Sequence, residues 1–82
     1  MRVFIIGNRA YQCNCTEDIE ALAAVCDYIA AAARAEIDRW QQKLNNNPYM
    51  RKFYEKRIAQ YKAVEAGIQA DRMPIDEAIR KG

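Results

Sequence analysis

From Thr16 to Leu44 the apolar residues Ile19, Leu22, Cys26, Ile29, Ala33, Ile37, Trp40 and Leu44 follow one another at steps of three or four. That spacing lines one side of an α-helix and predicts a single long helix over residues 16–45. Between Ala21 and Ala35 the opposite side is apolar too, through Ala21, Ala24, Val25, Tyr28, Ala31, Ala32 and Ala35, so that Asp27 and Arg34 are the charged positions there. A helix without a polar face is normally covered on both sides. A short chain has little with which to cover the second, so Ala24, Tyr28, Ala31 and Ala35 mark a candidate oligomer interface.

The pattern changes on either side of this segment. Arg2 to Ile6 is β-branched and aromatic and stops at Gly7-Asn8. It reads as a short strand buried on both faces, because apolar residues do not alternate with polar ones. Ala10 to Asn14 is placed to return as a second strand around Gly7-Asn8-Arg9, and a lone strand would leave its backbone groups unpaired. At the start of the long helix, Thr16 is a candidate cap, and Asn14 with Glu17 an alternative capping box. Asn45-Asn46-Asn47-Pro48 is the clearest boundary: an Asn suits the left-handed end of one helix, and Asn47 and Pro48 suit the start of the next. A second helix over 48–70 follows from Met50, Phe53, Tyr54, Ile58, Tyr61, Val64 and Ile68, with Gly67 weakening its last turn. Pro74 is read as a break, leaving a short terminal helix over 74–81.

The expected fold is therefore α+β and mostly helical. One domain spans 1–82: a strand or β-hairpin (1–15) packed on a long antiparallel helical hairpin, with a short C-terminal helix. At 82 residues, such a domain buries a small fraction of its surface and is marginal without a staple or a partner. Three cysteines, Cys13, Cys15 and Cys26, cannot all pair within one chain, and no signal-peptide or membrane-length stretch is visible, so a reduced, cytoplasmic protein is expected. That leaves a homo-oligomer as the way to complete the core, with no membrane association.

Candidate chemistry is sparse. The three thiols come with no His, so a closed zinc site would lack its fourth ligand unless two subunits shared it, and the expectation is no metal and no cofactor. Gly7-Asn8-Arg9 after an apolar strand can offer backbone amides and Arg9 to an anion, but lacks the further glycines and the βαβ unit of a nucleotide-binding loop. With neither His nor Ser, the commonest general base and hydroxyl nucleophile are missing, and no enzyme activity is expected.

Charge is uneven along the chain. Residues 17–44 hold six acids and three bases, whereas 49–62 hold five bases and Glu55. Tyr49, Arg51, Lys52, Tyr54, Lys56, Arg57, Tyr61 and Lys62 interleave rings with cations, as nucleic-acid surfaces do. The same spacing also fits Met50, Tyr54, Ile58 and Tyr61 facing the first helix, with the bases solvated. Two functions follow. The first is a non-enzymatic inhibitor or adaptor that binds a protein partner. The second is an oligomer that binds an anionic ligand, nucleotide or nucleic acid, through Arg9, Tyr11, Arg51, Tyr54 and Arg57. No stretch matches a known family motif; size and simplicity alone resemble the small binding proteins that phages and mobile elements encode.

Overall fold

The computed structural model describes residues 1–81. Strand β1 (Arg2–Ile6) pairs antiparallel with β2 (Arg9–Cys13), and two long helices follow, α1 (Thr16–Asn46) and α2 (Arg51–Lys81), joined through a 3-10 turn at Pro48–Met50. The helices lie side by side over their whole length, giving a rod of 52 × 18 × 14 Å. The hairpin packs on the end of the rod where α1 begins and α2 ends. This is the mostly helical α+β arrangement that the periodicity predicts.

The two-residue turn Gly7-Asn8 explains the hairpin. Gly7 has φ +64° and Asn8 does not share the left-handed region, the arrangement of a type II′ turn, whose twist matches the flanking strands. Pairing Phe4 with Tyr11 and Arg2 with Cys13 puts Phe4, Ile6, Tyr11 and Cys13 on one face. That face meets Ile19, Leu22, Ala23 and Cys26 of α1 and Ile68, Ile75 and Ala78 of α2. The Gly7 N–H donates to the Asp71 carboxylate at 2.8 Å, tying the turn to α2. The expectation that β1 is buried on both faces is corrected: Val3 and Ile5 are 54% and 60% exposed. The two-stranded sheet lies on a single helical layer, and none of the described residues covers its outer face.

The start of α1 also departs from expectation. Neither Thr16 nor an Asn14–Glu17 box caps it; Cys15 holds the cap position without a side-chain bond. The Asp18 carboxylate instead accepts from the Asn14 N–H at 2.9 Å. That bond holds its carboxyl below the usual Asp range and places a negative charge at the positive helix pole. At the far end the Asn residues take no left-handed conformation; Asn47 has φ −139° and its N–H bonds back to the Lys43 carbonyl.

The largest correction concerns Pro74. No break occurs, and one helix runs from Arg51 to Lys81 with Pro74 inside it. An interior proline removes one backbone hydrogen bond and crowds the carbonyl four residues back. Here Ile75 and Ala78 outweigh that cost, because both are buried beneath the hairpin with Ile75 at 0% exposure. Arg72, just before the proline, pairs with Asp27 of α1 and with Asp76 one turn on, bracing the segment from both sides. Pro74 itself is exposed. Pro74→Ala is therefore expected to raise the unfolding free energy by about 2 kcal/mol, since the regained helical bond exceeds the unfolded-state entropy that proline removes. Thermal denaturation checks this, and a lower midpoint would mean that the ring packs usefully.

Candidate functional site

The α1 stripe buries as its spacing requires. Ile19, Leu22, Cys26 and Ala33 are buried and Ile29, Ile37, Trp40 and Leu44 half-buried. Each helical residue turns about 100°, so Tyr28 projects nearly opposite Cys26. Tyr28 is 76% exposed, and Ala21, Ala24, Val25, Ala31, Ala32 and Ala35 beside it are exposed as well. The four interface residues read from the sequence thus share one outward face, with none of the described residues above it. Glu17 begins that face and Arg39 ends it.

The five proposed ligand contacts do not form one site. Arg9 and Tyr11 lie in a groove between the hairpin turn and the helices, with Ile29, Val64, Gly67, Ile68 and Asp71. The turn amide that would attract an anion is already occupied by Asp71, whose negative charge sits in the same groove. Arg51, Tyr54 and Arg57 lie towards the other end of the rod. Tyr54 is 7% exposed. Its ring packs 5.8 Å from those of Trp40 and Phe53, and its hydroxyl meets the Met50 sulfur. The Tyr54 face is therefore spent on the helix–helix contact and is not open to a base. Arg51 is paired with Glu55 at 2.8 Å.

Arg57 differs. Its guanidinium stands over Phe53 and Trp40, 5.4 and 5.9 Å from their centroids. Lys43 and Arg39 approach the same indole at 4.8 and 5.2 Å, and its N–H donates to Glu36. Three cations around one partly buried Trp were not legible from the sequence, because Arg39 and Lys43 belong to the helix read as acidic. Among the described residues, the ion pairs that join the helices are Arg34–Glu65, at 2.6 Å, and Arg72–Asp27. Neither uses a base from residues 49–62.

The outer hairpin face, with Val3 and Ile5, was missed because an unalternating apolar run gives no sign of which residues face out. Among the cysteines, Cys15 is exposed while Cys13 and Cys26 are buried, and all three are free thiols. Burial pushes the Cys26 thiol up, so it stays protonated and packs as a small apolar residue. Among the described residues no group of three or more His, Cys, Asp or Glu side chains is arranged to hold a metal. No helix among them is long and apolar enough to cross a membrane. Comparison of the chain with protein-family models, curated proteins and solved structures found no match.

Proposed function

We propose that this protein is a non-enzymatic binding module, an inhibitor or adaptor, that associates with a second copy of itself through α1 and with a protein partner through surface that remains apolar. The observation that carries this reading is the outward face around Tyr28, exposed in the single chain and lined almost wholly by alanine. Alanine lets two helix backbones approach to about 8 Å, and a ring at the centre supplies contact area.

Charge selects the orientation. An antiparallel pair with its two-fold axis at Tyr28 sets Ala24 opposite Ala32, Ala21 opposite Ala35 and Glu17 opposite Arg39 of the other copy. A parallel pair would place the acidic first turns together and the basic last turns together, which costs association energy. The helix dipoles also favour the antiparallel choice. Val3 and Ile5 lie on the hairpin, off this axis, and offer apolar surface to a different partner.

Exchange of charge tests the arrangement. Glu17→Arg is expected to weaken self-association measured by sedimentation about fivefold, as for an exposed ion pair turned repulsive. Adding Arg39→Glu is expected to restore it. Additive weakening in the double variant would rule out the antiparallel register.

A further inference from the structure

We propose that the outward face of the first turns of α2 binds single-stranded nucleic acid, with Lys52, Lys56 and Arg57 on phosphates and Tyr49 and Phe53 stacked against bases. This surface differs from the face assigned to self-association and does not depend on it. It also replaces most of the residues expected from the sequence: Arg57 stays, Tyr54 is buried, and Arg9 and Tyr11 lie elsewhere.

Three observations lead here. First, folding concentrates charge. Residues 39–62 carry seven bases and one acid, and the rest of the chain six bases and ten acids. The antiparallel helices gather the first group at one end of a 52 Å rod. A separation on that scale exceeds several Debye lengths of about 8 Å at physiological salt, so an approaching polyanion meets the basic end without the acidic one.

Second, one side of α2 holds the chemistry without interruption. At about 100° per residue, Lys52, Phe53, Lys56, Arg57 and Gln60 fall within one half of the helix surface and no acid lies among them, while Tyr49 stands in the 3-10 turn that leads into the helix. Phe53, Lys56, Arg57 and Gln60 together line a shallow depression. Lys52, Lys56 and Arg57 have no carboxylate partner among the described residues. Arg57 is instead steadied by the two rings beneath it, which fix its plane and leave its N–H groups free for phosphate. Tyr49 is 93% exposed, a position where an aromatic ring gains nothing from the fold.

Third, the placement runs against helix stability. α2 has no acid in its first turn yet carries Arg51 and Lys52 there, and the 3-10 turn that leads into it has no side-chain cap. Cations at a positive helix pole are unfavourable. The face from Tyr49 to Gln60 spans about 16 Å along the helix, which suits a few nucleotides of a flexible strand better than a rigid duplex groove. Sequence preference is expected to be slight, since rings stack on any base.

The test is fluorescence anisotropy of a labelled oligo(dT) and an unstructured RNA of equal length, over about 50 to 200 mM salt. Binding is expected to weaken with a log–log slope near −2, from three phosphate contacts at about −0.7 each on a single strand. Lys52→Gln with Lys56→Gln, both at exposed positions, is expected to weaken binding at least about tenfold with the helical circular dichroism unchanged. Tyr49→Ala is expected to lose at least about fivefold on oligonucleotides and nothing on heparin, which has no bases to stack. A flat anisotropy at the lowest salt overturns the proposal. So does full binding by the double lysine variant, equal loss on heparin for Tyr49→Ala, or capture by phosphatidylserine vesicles without oligonucleotide binding, which would assign the face to lipid.

Discussion

Ile75→Ala is expected to lower the thermal midpoint by roughly 12 to 24 °C, the largest change a single truncation should produce in this chain. Ile75 is wholly buried, between β1 and the start of α1, in the cluster that holds Phe4, Leu22 and Cys26. Removing three carbons from such a site costs the transfer of the lost atoms plus the cavity they leave, about 3 kcal/mol. For a domain of this length each kcal/mol moves the midpoint by about 4–8 °C. Total stability is itself only about 4–12 kcal/mol at the usual value per residue, so the loss is a large fraction of the whole. Met73, two residues away but 70% exposed, is the control, and Met73→Ala should stay within about 0.5 kcal/mol. The comparison bears directly on Pro74. If residues beyond the proline formed a loosely attached segment, the two variants would melt alike.

The second large effect concerns association rather than folding. Tyr28→Glu is expected to abolish self-association at micromolar concentration, weakening it at least about a hundredfold, or about 3 kcal/mol. At a two-fold axis the substitution places two carboxylates against each other in a contact otherwise made of alanine methyls, where a charge has no partner and little water. Because Tyr28 is exposed in the single chain and Glu is a good helix former, helical content should not change. The variant should therefore separate into a folded, smaller species. Melting comparisons must be made at fixed protein concentration, since association adds to apparent stability.

The parts of this structure that could be read in advance are those set by period and local geometry. The α1 stripe from Ile19 to Leu44 has enough repeats for its phase to be unambiguous, so both its buried side and the outward alanines follow from it. Gly7-Asn8 announces a tight hairpin because only glycine takes φ +64° there without strain. What was not legible depends on which surfaces the rest of the chain reaches. Arg2 to Ile6 reads the same whether one face or two are covered. Pro74 obeys a local rule that the burial of Ile75 and Ala78 overrides. Phe53 and Tyr54 are adjacent aromatics on a helix, and only packing against Trp40 decides that Tyr54 goes in while Phe53 remains 43% exposed.

The same reasoning explains why the candidate site moved. At the turn, folding brings Asp71 from 64 residues away onto the Gly7 amide, which no local pattern shows. The Arg51–Glu55 pair, by contrast, is an i,i+4 contact that the helical spacing already offered. Folding gives Arg57 two rings and, among the described residues, no carboxylate partner. Lys43 and Arg39 joined that cluster from the other helix, across a contact that no local pattern encodes.

All of this turns on whether a helix pair one layer thick leaves Tyr28 and its alanines to be covered by another copy. Light scattering coupled to size exclusion, run on the native chain across a micromolar dilution series, measures that directly. The account predicts a mass twice that of the 9.5 kDa chain at the higher concentrations, falling towards the chain mass on dilution and reached at every concentration by Tyr28→Glu. A native chain that elutes at the single-chain mass throughout the series would contradict it.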